Sequence, residues 1–155
     1  FDAIIDRAQQ AAAAGKTDDA RARYAEAAAL YRGDFLEGMQ DGSWQWRERE
    51  RLRASCLEAL RWLALERVAA ADFRGQRLAY ERLLEVAPFD LDAVRARLNA
   101  LCEEARVAEA RRDYEDWRAR YRAAVGAEAP DVWSVDAHTA TLKPPVSYDP
   151  VQAKP

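Results

Sequence analysis

Histidine, cysteine, serine and clustered carboxylates build most catalytic and metal sites, and this chain offers them sparsely. His138 is the single histidine, and it lies in a proline-rich stretch without the clustered cysteines or carboxylates that would complete a zinc site. The serines stand at 43, 55, 134 and 147, and none has the Gly-x-Ser-x-Gly context of an activated nucleophile. No glycine-rich phosphate loop is present. Cys56 and Cys102 lie far apart inside helical patterns without CxxC spacing, which reads as two buried free thiols. A disulfide between them would need Cα atoms within about 7 Å. The expectation is a protein with no catalytic residues, no metal and no cofactor.

The remaining candidates are residues of recognition. Arg32-Gly33-Asp34 spells an adhesion tripeptide, but a glycine that ends a helix and an aspartate that bonds its own turn account for it. The run from Arg47 to Arg53 alternates basic and acidic residues. It reads as a solvated, self-paired helix face, or else as an interface or phosphate contact. Trp44 and Trp46 beside it would anchor either the preceding loop or a partner.

These residues must be positioned by helices. Ile4, Ile5, Ala8 and Ala12 predict a helix over 1–14 that Gly15 ends. Thr17 then reads as the N-cap of a second helix reaching Tyr31, with Ala20, Tyr24, Ala27 and Leu30 or Tyr31 inward. The segment 32–42 holds three of the six glycines and reads as a loop pinned by Phe35, Leu36 and Met39. Ser43 caps a long helix over 44–71, about 40 Å at 1.5 Å per residue. Its stripe is Leu52, Cys56, Leu60 and Leu63, and a second stripe of Trp62, Leu65, Val68 and Ala69 predicts burial on more than one side. A break at Asp72–Gly75 precedes a helix over 75–87 with Leu78, Leu83 and Leu84 inward, closed by Pro88. Asp90 caps 91–104, with Val94, Leu98, Leu101 and Cys102 inward, and a last helix over 107–125 carries Ala110, Tyr114, Trp117 and Tyr121 to a stop at Gly126.

The order is helix–turn–helix three times. Tyr80 and Tyr114 lie 34 residues apart, the tetratricopeptide period, and both should be buried. Ala20 and Ala110 precede their tyrosines by four and fit a close helix crossing, whereas Gln76 should open its own. The fold class is therefore all-α, a tetratricopeptide-like stack of three helical hairpins in a right-handed superhelix. In such a stack the first helix of each pair lines a concave groove. Glu58, Arg61, Leu65 and Val68 should line it from the long helix, and Asp92, Arg95, Asn99 and Cys102 from the fifth. Arg61, Arg95 and Asn99 could hold a peptide carboxylate or backbone. The groove could equally be filled by the protein's own segments.

Five of the six prolines follow Gly126, so 1–126 reads as the helical domain and 127–155 as an extended tail or linker. Its apolar anchors are Val132, Trp133, Val135, Leu142, Val146 and Tyr148. The expectation is that the tail docks on helices of its own chain or a neighbour's, with Trp133 as main anchor. The chain begins at Phe1 inside a helical pattern, which reads as a piece of a longer protein. No apolar run has membrane-spanning length. A net charge of −3 argues against a dedicated nucleic-acid reader.

The segment Leu30-Tyr31-Arg32-Gly33-Asp34-Phe35-Leu36, the Trp44 helix rich in Arg and Glu, the stretch from Phe73 to Asp90, and the closing Tyr121–Pro130 together resemble the bacterial transcriptional activator domain of SARP-type regulators. The resemblance covers about residues 1–130, with Gln76 and the tail departing from it. It implies an all-helical tetratricopeptide-like domain that serves regulation, self-association or contact with other domains. In that family the domain follows a winged-helix DNA-binding domain, for which this chain shows neither strands nor a basic recognition helix. The expected role is a cytoplasmic regulatory domain whose partners are proteins or other domains of its parent regulator, with homodimerisation included and specific nucleic-acid binding not. The alternative is a stand-alone tetratricopeptide adaptor for a peptide or protein partner.

Overall fold

The computed structural model describes residues 1–31 and 43–134. Six helices follow in order: α1 Asp2–Ala13, α2 Thr17–Leu30, α3 Ser43–Ala69, α4 Phe73–Val86, α5 Leu91–Glu103 and α6 Val107–Val125. The described residues contain no strand. The segment 32–42, with the Arg-Gly-Asp tripeptide and the three loop anchors, lies outside the described residues. So do His138 and the tail anchors beyond Trp133.

Each helix runs against the one before it. Arg21, Tyr24 and Tyr31 of the second hairpin arm meet Glu66, Trp62 and Cys56 in turn, so α2 and α3 are antiparallel. Arg53 reaches Val86, Arg77 reaches Glu104 and Trp117 reaches back to Pro88, which sets α3/α4, α4/α5 and α5/α6 the same way. The first helices of successive pairs then run parallel. Arg51 holds Asp2 at 2.9 Å and Gln9 holds Glu58 at 3.0 Å, the same offset along α1 and α3.

The tight turns repeat one backbone solution. Gly15, Ala71 and Ala105 all adopt left-handed φ, at 70°, 53° and 59°. Behind each, an amide reaches back five residues: Lys16 N to Ala11 O, Asp72 N to Arg67 O and Arg106 N to Leu101 O, at 2.8–2.9 Å. This satisfies carbonyls that the helix end would otherwise leave open. Two of the three positions are alanines, in a region that glycine fills without steric cost. Tyr24, Tyr80 and Tyr114 each follow nine residues after such a turn, so they hold equivalent places in α2, α4 and α6.

Several boundaries differ from expectation. Lys16, not Thr17, is the α2 N-cap, and no side chain caps there. The α4 helix starts at Phe73 because Asp72 caps it, its carboxylate accepting from Gly75 N at 2.8 Å. Asp90 does cap α5, accepting from Ala93 N at 3.0 Å, and Gly126 ends α6 at φ 73°.

Three core clusters run along the stack: α1–α2 with Ala59, then Ala28, Tyr31, Cys56, Leu60, Leu83 and Ala93, then α5–α6 with Val132 and Trp133. Tyr31 rather than Leu30 faces inward. Leu78 does not; it is 49% exposed and lines an open cleft with Ala22, Ala25 and Leu63. Among the described residues the second stripe on α3 is not covered either: Leu65 and Val68 are exposed, and Trp62 is half-buried against the ring of Tyr24. Tyr80 is only half-buried, unlike Tyr24 and Tyr114. Tyr24 is covered by Trp62; 34 residues later on α5 the residue is Ala96, too small to cover Tyr80 in the same way.

Candidate functional site: the first-helix face and the end of the stack

The residues expected to line a groove lie along α3 and α5. Glu58, Arg61, Leu65 and Val68 follow one another at helical spacing on α3, and all four are exposed. Asp92 and Arg95 are exposed on α5, and Asn99 is half-buried. Cys102, expected in the same row, instead lies in the core, 3% exposed. It packs with α6 residues in the last cluster.

The charges on this face are mostly committed to one another. Arg61 pairs with Asp90, the cap of α5. Arg51 bridges Asp2 and Glu48, which holds both carboxyls below their ordinary range, the hydrogen bond from the guanidinium being the main cause. The repeat tyrosines reach the same face. Burial pushes the Tyr24 hydroxyl upward and Glu58 adds to it. Burial does the same for Tyr80, where Asp90 and Asp92 reinforce the shift and Arg61 opposes it. Leu65, 62% exposed, and Val68, 46% exposed, are the apolar residues in the α3 row. Ordinary surface positions do not require a large aliphatic pair at this spacing, although single exposed ones are common.

At the end of the stack residues 131–133 return onto α5 and α6. Trp133 is 7% exposed, its ring 5.5 Å from Tyr114 in an edge-to-face arrangement. The Trp133 indole donates to Asn99 Oδ1 at 3.0 Å, and Arg95 Nε donates to Val132 O at 2.9 Å. The Tyr114 hydroxyl accepts from Val132 N at 3.3 Å and donates to Asp131 at 3.1 Å. Two residues expected to hold a peptide backbone, Arg95 and Asn99, thus hold the protein's own segment. Sequence reasoning missed Asp131 and the Tyr114 hydroxyl. The signal available was an acidic and a β-branched residue directly before Trp133, following Pro130.

Trp44 and Trp46 are 63% and 57% exposed at the start of α3. Cys56 and Cys102 are free and buried, and burial pushes Cys56 up to about 11 despite the opposing Arg82. A thiol so placed is a poor nucleophile. Among the described residues no group of His, Cys, Asp and Glu could hold a metal ion, and no helix is long and apolar enough to cross a membrane.

Set against known proteins, this all-helical hairpin stack matches the family model of the bacterial transcriptional activator domain over residues 1–132. The chain belongs to that family, a domain of transcription regulators. The matched span runs past Gly126 and takes in Asp131 and Val132, the residues that begin the docking onto Tyr114. No curated protein and no solved structure matches the chain.

Proposed function

We propose that this chain is the regulatory, protein-interaction domain of a bacterial transcription regulator, working by contact rather than catalysis. Its α1–α3–α5 face would be the concave surface of a tetratricopeptide-like stack, taking a segment of another domain of the parent regulator or of a second copy. The observation that carries this is the pair Leu65 and Val68, exposed beside the Arg61–Asp90 ion pair on a face otherwise lined by polar side chains. An apolar centre ringed by paired charges is the anatomy of an interface.

DNA recognition is assigned to another part of the parent protein. Arg21, Arg51, Arg61, Arg77, Arg97 and Arg106 are all engaged by carboxylates of this chain, and neutralised guanidinium groups add little to phosphate binding. Such a regulator acts in the cytoplasm.

The test is transcription from a reporter driven by the parent regulator carrying Leu65→Asp and Val68→Asp together. Both positions are exposed, so stability should stay within about 0.5 kcal/mol. Activation should fall at least about tenfold, the loss that 1.4 kcal/mol of contact energy represents. Full activation at unchanged protein level would overturn the proposal.

A further inference from the structure

We propose that the α5–α6 end of the stack is a peptide-recognition site for an extended segment of acidic, β-branched and tryptophan residues. The chain's own Asp131-Val132-Trp133 is its resident, displaceable ligand. This rests on reading the chain as a protein-interaction domain, and it assigns its own ligand chemistry to the α5–α6 end of that face, where Arg95 and Asn99 stand.

The cradle reads both main chain and side chain. Arg95 takes the Val132 carbonyl and the Tyr114 hydroxyl takes the Val132 amide, so the backbone of one residue is gripped from both sides. Gripping a residue by its N–H and C=O fixes an extended strand in register and is indifferent to which chain supplies it. Specificity comes from the flanks. Asn99 accepts the indole N–H, a bond that phenylalanine could not make and that leaves the amide unmatched if tryptophan is absent. Tyr114 and Trp117 supply the apolar bed, their rings stacked 6.0 Å apart, and Tyr114 also donates to Asp131.

The connection to α6 is exposed by comparison, with Glu128 3.7 Å from Arg122 as its ion pair. Residues 126–128 are exposed, while Ala129 and Pro130 are half-buried. An exposed joint leaves the docked tripeptide held chiefly by its own contacts. The tail therefore behaves as a tethered competitor, at an effective concentration of order 1 mM for a short flexible link. A partner segment with the same three chemistries would displace it and free the tail in one step. Val132 and Trp133 also close the last hydrophobic cluster, so a partner segment that displaces them takes over that cover.

The experiment uses the full chain and a fluorescein-labelled peptide of residues 128–134, Glu-Ala-Pro-Asp-Val-Trp-Ser. Anisotropy titrations compare the wild type with the full-length Trp133→Ala variant. Removing the resident ligand should tighten apparent binding at least about tenfold, because affinity scales with the fraction of open sites. The same peptide with alanine in place of its tryptophan should not bind. Absence of binding to a cooperatively folded Trp133→Ala chain at about 1 mM peptide, the tether's own effective concentration, would overturn the proposal.

If that variant does not fold, the wild type decides. Excess peptide should move the Trp133 indole N–H resonance toward its solvent-exposed position, and an unmoved resonance would show a fixed structural clasp. The titration reads only α5 and α6, whereas the reporter reads α3. Failure of the peptide test with a positive reporter therefore removes this site and leaves the domain's function standing.

Discussion

Replacing Trp133 with alanine should destabilise the domain by about 2 kcal/mol, and the size of that number is diagnostic. The indole is 7% exposed, and burying a ring of roughly 200 Å² contributes about 5 kcal/mol at 25 cal/mol per Å², an upper figure for a chain that is partly compact when unfolded. The bond to Asn99 and the edge-to-face contact with Tyr114 add about 1 kcal/mol each. Against this stands the entropy of pinning Asp131, Val132 and Trp133, about 1–2 kcal/mol per residue. A core tryptophan in a helix cannot recover that entropy when truncated and loses about 3–5 kcal/mol. A tail can, by letting go, which brings the net loss to about 2 kcal/mol. Tyr114→Ala, inside α6 and 7% exposed, has no such escape and should lose about 3–5 kcal/mol. Urea unfolding followed by far-ultraviolet circular dichroism measures both. A Trp133→Ala midpoint indistinguishable from wild type would refute the docking. A loss equal to that of Tyr114→Ala would refute the idea that the segment can release.

Ala71→Gly and Ala105→Gly should each stabilise the protein by up to about 1 kcal/mol, because relief of left-handed strain outweighs the entropy glycine adds to the unfolded chain. Thermal melts check this, and a lowered Tm at both positions would contradict the turn geometry. Cys56 and Cys102 should resist a thiol reagent at pH 8 in the native state and react at the rate of global opening, since both are buried and Cys56 titrates near 11. Rapid stoichiometric labelling without denaturant would show that the core is not closed around them.

Much of the fold was legible because its signals are local. The αL glycines at 15 and 126 and the Asp90 cap are read by the backbone within a turn or two. What failed depends on which third element arrives. Leu78, Leu65 and Val68 have the same helical spacing as the core leucines, and periodicity cannot say whether another helix covers a second stripe. Tyr80 was expected to be as buried as Tyr114. Its exposure turns on Ala96 standing where α3 has Trp62, a difference visible only once α5 is laid against α4. The repeat register alone places Glu58, Arg61, Asp92, Arg95 and Asn99 on one face. That two of them grip Val132 and Trp133 needed the path of the chain after Gly126, which no helical period encodes.

In the working regulator the α3 row should be covered by protein. Hydroxyl-radical footprinting compares side-chain oxidation in the isolated chain and in the intact parent regulator. Leu65 and Val68 should lose most of their reactivity in the intact protein, while Leu78, similarly exposed on the α2–α4 side, should keep it. Unchanged oxidation of Leu65 and Val68, whatever happens at Leu78, would show that this face is not an interface.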